Sequence, residues 1–117
     1  MGEVAKLQAF PDDQPIFMLN YLNYKDVVEE TGKTGAETYK DYMTAAMPFF
    51  AHIDAEIIFK GKPQAMILGP TEEKLWDEVL IVKYANKNEF FKIFQMKDYP
   101  SDIRASALSD SRLIFCK

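Results

Sequence analysis

Nine consecutive residues, Ile16-Phe-Met-Leu-Asn-Tyr-Leu-Asn-Tyr24, have the make-up of a β-strand yet are apolar on both of its faces. Side chains alternate across a strand, so Ile16, Met18 and Leu22 point one way while Phe17, Leu19 and Tyr21 point the other. Both faces therefore need cover. A chain of 117 residues builds one hydrophobic core and not two. A strand of this kind belongs inside a sheet with helices on one face and a further cover on the other.

The remaining elements follow from local signals. Residues 1–15 carry weak periodicity and Pro11-Asp12-Asp13, which predicts an irregular, loosely attached lead-in to a single domain over 16–117. After the first strand, Thr34-Gly-Ala-Glu37 matches the S/T-x-x-E capping box that opens helices. Ala36, Tyr39, Met43, Ala46, Phe50 and Ile53 then follow at steps of three and four, one apolar stripe that Pro48 should bend. Ala55 to Lys60 reads as a second strand. Gly61-Lys-Pro63 is a turn signal, so Gln64 to Leu68 is predicted to return as the other arm of a hairpin. Val79 to Tyr84 is a further strand, apolar on successive residues. Asn86-Lys-Asn-Glu89 caps a short helix carrying Phe90, Phe91 and Phe94. Asp98-Tyr-Pro100 breaks it, Ser101 is placed to cap another helix, and Arg112 to Cys116 closes the chain as a strand.

Strand, helix, strand, strand, helix, strand is the βαββαβ order of a ferredoxin-like α+β sandwich, with the helices on one face of an antiparallel sheet. Two helices cannot cover both faces. Since the strands are apolar on both sides, the simplest further cover is a second copy of the chain, giving a homodimer paired through its sheets.

Composition excludes several partners. Apolar residues make up 48% and charged residues 27%, an ordinary soluble globular balance, and the net charge is −4. An acidic chain without a Lys/Arg stripe is poorly suited to phosphate backbones, so no nucleic acid is expected. No apolar run approaches a membrane span, and Met1-Gly-Glu-Val-Ala-Lys6 offers neither a signal-peptide core nor a myristoylation pattern. Cys116 is the single cysteine, which rules out an intrachain disulfide and makes the cytoplasm the default address.

Four stretches resemble a known group: Met18-Leu-Asn-Tyr-Leu-Asn-Tyr-Lys25, Tyr39 to Tyr42 with Pro48, Trp76-Asp-Glu-Val-Leu-Ile-Val-Lys-Tyr84, and Arg104 to Ile114. Together they look like the dimeric α/β-barrel superfamily, and within it a bacterial branch of unknown function related to antibiotic-biosynthesis-monooxygenase-like and EthD-like proteins. The similarity runs from about Ile16 to Ile114. One departure is the immediate Pro100 after Tyr99, which shortens the approach to Arg104. The resemblance implies a dimeric α/β barrel with a pocket between sheet and helices in each subunit. It does not imply one activity, since the superfamily includes cofactor-free monooxygenases, haem-degrading enzymes, chlorite dismutases and muconolactone isomerases.

Asn20, Tyr24, Trp76, His52 and Arg104 are the polar residues placed to enter such a pocket. Asn20 interrupts an apolar run, and a buried amide either bonds to a neighbouring strand or orients a ligand. An asparagine on the first strand with a tryptophan is the pairing that haem degraders and quinone-forming monooxygenases of the superfamily use. That resemblance makes Asn20 and Trp76 the leading pair. Trp76 otherwise serves as core or dimer contact. His52, the single histidine, stands at a helix end favoured by the macrodipole, with haem ligation as the alternative. No His, Cys or carboxylate cluster accompanies it, so neither metal nor cofactor is expected. Arg104 either holds a carboxylate or phenolate by a bidentate contact or pairs with Asp110 or another carboxylate of this acidic chain. Phe90, Phe91, Phe94, Met43 and Met47 read as core at helical spacing. No activated nucleophile or phosphate-binding loop is visible. The expected function is binding of a small organic molecule, with a cofactor-independent monooxygenase or isomerase acting on an aromatic or polyketide-like substrate as the alternative.

Overall fold

The computed structural model describes residues 4–117. Its sheet is built around β1, Ile16–Tyr24, which pairs antiparallel with β3, Glu78–Tyr84, on one side and with β4, Leu108–Cys116, on the other. The remaining strand, β2, Ala55–Gly61, pairs with the far side of β3, giving the order β2-β3-β1-β4. This is the antiparallel α+β sheet of the ferredoxin-like fold. The central position explains why β1 has no polar edge: both flanks and the helix-side face are occupied by the chain itself.

Residues directly opposite one another on paired strands share a face. Asn20 stands opposite Leu80 and Leu113, and Met18 opposite Val82 and Phe115, so these define the inner, helix-side face. Leu19 stands opposite Ile81 and Ile114 on the outer face, beside Phe17, Tyr21, Val79 and, from β2, Phe59. On the two central strands the inner positions are buried and the outer ones half-buried. Ile16, Met18, Leu22, Leu80 and Val82 are buried, while Phe59 and Ile114 remain 53% and 41% exposed.

Helix α1, Gly35–Phe50, begins as its capping box predicts: the Glu37 N–H donates to Thr34 Oγ1 at 3.1 Å and the Thr34 N–H donates to Glu37 Oε1 at 3.0 Å. The buried residues are Gly35, Thr38, Tyr39, Tyr42 and Ala46, so of the predicted stripe Ala36 is exposed, Met43 and Phe50 are half-buried, and Tyr42 is buried beside it. The helix stops at Phe50, soon after Pro48, and leaves Ile53 buried in the following turn. At its other end Gly35 is pressed against backbone. A Cβ there would lie 2.5 Å from Ala107 O and 2.5 Å from Lys25 N and O. Helices α2, Lys87–Gln95, and α3, Ser101–Ala107, complete the inner layer. Asn86 caps α2 as expected, its Oδ1 accepting from the Glu89 N–H at 3.1 Å. Ser101 does not cap α3. It is the first helical residue, after Pro100, and no side chain caps that helix.

One further expectation is corrected. Gln64 to Leu68 forms no strand: after Gly61 the chain leaves the sheet and crosses 62–77 before entering β3. The slot beside β2 is filled by β3, which offers a full strand length, whereas a local return would have ended at Pro70. Ile67 and Leu68 are left 85% and 90% exposed at the tip of that connection. The lead-in is also anchored within its described part. Val4–Ala9 forms a 3₁₀ helix, Leu7 joins the core under α2, and buried Lys87 donates to Gln8 O at 3.1 Å and Phe10 O at 2.6 Å. Among the described residues no helix is long and apolar enough to cross a membrane.

Candidate functional site

The inner face carries two apolar clusters. One, with Ile16, Met18, Val82 and Phe90, lies by α2, and the other, with Leu22, Tyr39, Tyr42 and Ala107, lies by α1 and α3. Between them the layers do not close. A cavity of about 510 Å³ runs from Ile57 on β2 to Leu113 on β4, roofed by α1, α2 and α3 and floored by the sheet. That volume is within the range of about 300–1,000 Å³ typical of small-molecule sites.

Asn20 and Arg104 line this cavity together. Arg104 Nη2 donates to Asn20 Oδ1 at 3.3 Å, and Asn20 Nδ2 donates in turn to Met18 O and Leu80 O at 3.3 and 3.4 Å. The amide nitrogen is therefore fully engaged. The side chain bonds the sheet with that nitrogen, the structural alternative for Asn20, and its oxygen steadies the guanidinium. Arg104 does not pair with Asp110, whose carboxylate is held below its usual range by Arg112 at 2.5 Å. Among the described residues Arg104 has no carboxylate partner.

The other three candidates do not line the cavity. Trp76 lies on the opposite face of the sheet, its ring 5.8 Å from that of Tyr21 and capped by the Arg112 guanidinium at 5.2 Å. Asn20 and Tyr21 are adjacent on β1, so a tryptophan against one faces away from the other. The Asn20–Trp76 pair suggested by resemblance is thus not formed. Tyr24 follows a register shift in β1, packs on Tyr39 with ring centres 5.6 Å apart, and spends its hydroxyl on the buried Glu78 carboxylate. His52 is exposed in the turn beyond α1, where its N–H donates to Phe49 O at 3.1 Å. Among the described residues no group of His, Cys, Asp and Glu is placed to hold a metal ion.

Sequence reasoning missed the tyrosines. Tyr39, Tyr42, Tyr84 and Tyr99 all line the cavity, with three phenylalanines. The hydroxyls of Tyr42 and Tyr99 bond to each other, joining α1 to the break before α3. Burial is the main cause that pushes three of these phenols up, Tyr39 to about 12 and Tyr84 and Tyr99 further still. They stay protonated at neutral pH and act as donors. The visible signal was the i, i+3 spacing of Tyr39 and Tyr42, which places two phenols on one helix face. Met47 and Phe94, expected in the core, are 69% and 49% exposed at the rim.

Strand order and cavity define a ferredoxin-like α+β domain with an apolar chamber between sheet and helices. The chain is similar over 99% of its length, at 28% identity, to the methylated RPA0582 protein, covering 89% of that chain with a TM-score of 0.86. The RPA0582 protein of unknown function from Rhodopseudomonas palustris superposes with a TM-score of 0.84 at 28% identity, with 99% of this chain and 91% of that one covered. A dimeric protein of unknown function and ferredoxin-like fold from Bacteroides fragilis shares the fold at 13% identity and a TM-score of 0.57, over 92% of this chain and 99% of that one. No family model and no curated protein matches the chain.

Proposed function

We propose that the protein is a homodimer that binds a small organic molecule in the chamber between its sheet and helices. The observation that carries the binding role is the 510 Å³ cavity, walled by aromatic and aliphatic side chains around one guanidinium. Sites that bind small molecules combine a mainly apolar wall with a few placed polar groups. The dimer is supported by the apolar outer face around Leu19, Ile81 and Ile114 and by neighbours of the same fold that are described as dimeric. Kinship with the monooxygenase-like and EthD-like branch of the dimeric α/β barrels belongs to the same proposal and rests on the resemblance of the four motifs.

Binding is tested with N-phenyl-1-naphthylamine, a neutral apolar fluorophore. Saturable fluorescence enhancement at one site per chain is expected, and Met43→Trp, which fills the chamber from α1, should weaken it at least about ten-fold with the circular dichroism unchanged. Enhancement that never saturates, or that ignores the substitution, would count against the chamber as the site. Dimerisation is tested by sedimentation at low micromolar concentration: a dimer is expected, and Ile81→Asp at the centre of the outer face should release monomers.

A cofactor-independent monooxygenase or isomerase is the second reading, favoured by the Arg104 guanidinium that Asn20 holds in place, since a fixed cation steadies an oxyanion. Turnover of any substrate in the chamber would have to fall in Arg104→Ala.

A further inference from the structure

The polar groups of the chamber are rich in donors, with one cation, Arg104, among them. Asn20 Oδ1 already accepts from Arg104, and both of the amide's nitrogen contacts go to strand carbonyls. Tyr42 and Tyr99 share one hydrogen bond, in which only one of the two O–H groups donates, so the other remains available as a donor. A guanidinium has five N–H donors and no acceptor, and the bond to Asn20 uses one. Tyr39 faces the same guanidinium, whose charge opposes the effect of burial on the phenol. The one carboxylate along the walls is Glu56, exposed on the edge strand β2. Arg104 is on α3, half-buried, and the Glu56 carboxylate makes no ion pair with it. A half-buried cation in an apolar chamber is incomplete until a negative charge meets it.

We infer that the molecule bound in the chamber is an amphipathic monoanion, a carboxylate on an apolar body, with its head on Arg104 and its body among the tyrosines, Met43 and Phe90. This rests on the proposal that the chamber is a ligand site. The charge is single because one guanidinium faces the space. Its planar fork matches the two oxygens of a carboxylate and, fixed by Asn20, needs little ordering on binding. The protonated phenols add donors toward the same head group. The body is apolar because every other wall residue apart from Ser101 and Glu56 is aromatic, aliphatic or a thioether. Asn20 is accordingly a positioning residue that acts through Arg104.

The test compares 2-naphthoate with its uncharged isostere 2-naphthamide, and decanoate with decanamide, by calorimetric titration and by displacement of N-phenyl-1-naphthylamine. In the wild-type protein at least one acid should bind about ten-fold or more tightly than its amide. In Arg104→Gln that preference should collapse toward unity, and in Asn20→Ala, which frees the guanidinium, it should fall part of the way. Preference for naphthoate over decanoate would assign an aromatic body, and the reverse an alkyl chain. Equal binding of acid and amide by the wild-type protein would overturn the inference, as would displacement of the fluorophore by the amides alone. Failure of the fluorophore and of all four probes to bind would remove the chamber as a ligand site, and this inference with it. The acid-to-amide ratio is read on the wild-type protein, so a variant that fails to fold leaves the decision intact.

Discussion

Tyr24 shows how a candidate ligand contact becomes a structural one. Its hydroxyl donates to Glu78, a carboxylate only 7% exposed, and its own N–H donates to Asp77 Oδ2 at 2.7 Å. The side chain thus closes the end of the sheet where β1 leaves its register. Removing that hydroxyl leaves a buried carboxylate short of a donor. Tyr24→Phe should therefore lower stability by about 1–3 kcal/mol, with ligand binding in the chamber retained. Urea unfolding measures the first and fluorophore titration the second. A loss below about 0.5 kcal/mol, the range of an ordinary surface change, would mean that Glu78 finds another partner. Asn20 was visible in the sequence as an anomaly among apolar neighbours. Its partner was not, because Arg104 lies 84 residues away and nothing local to either residue marks the other.

At the scale of elements, the start of α1 is the most constrained joint in the molecule. The Gly35 N–H donates to Lys25 O at 2.9 Å and the Lys25 N–H donates to Ala107 O at 3.0 Å, so the end of β1, the start of α1 and the end of α3 meet through backbone alone. No side chain fits at Gly35, because the atoms a Cβ would strike at 2.5 Å cannot swing aside. Gly35→Ala should cost at least the ~1–3 kcal/mol of an overpacked core. The neighbouring cap gives a milder contrast: Thr34→Ala should cost about 1 kcal/mol. Chemical denaturation of the two variants should rank them in that order, and the reverse order would show that the joint relaxes. The cap was legible because its two residues are three apart; the requirement for glycine was not, because the obstructing atoms belong to Lys25 and to Ala107 of α3.

At the scale of the whole molecule, tyrosine burial sets the response to alkali. Tyr39 is pushed up to about 12 by burial, and Tyr24, Tyr84 and Tyr99 are raised further, with Glu78 adding to the effect at Tyr24. In the unfolded chain each phenol titrates near its ordinary value of about 10. Above that pH the unfolded state binds fewer protons than the folded one, and stability declines as pH rises. Below about pH 9 these groups are neutral in both states and contribute no pH dependence. Urea midpoints should hold steady with respect to the tyrosines up to that point and then fall steeply through about pH 10 to 12. A flat profile there, or phenolate absorbance appearing at the ordinary pKa in the folded protein, would contradict the burial of the tyrosines.

The βαββαβ order, the cap of α1, the cap of α2 and the doubly apolar first strand were all decided by residues near one another in the chain, where alternation, spacing and hydrogen-bonding side chains act locally. The sequence therefore contained the layer arrangement and the pressure to cover a second sheet face. Tertiary structure decided what lies on each side of β1. It turned Trp76 to the outer face, tied Tyr24 to Glu78, left His52 in an exposed turn, and brought Arg104 from α3 onto Asn20 inside a ring of phenols. Those outcomes depend on strand register and on how far apart two helices come to rest over a sheet. Both are set by contacts between distant residues, so a chamber between helices has no signature in the order of the amino acids that line it.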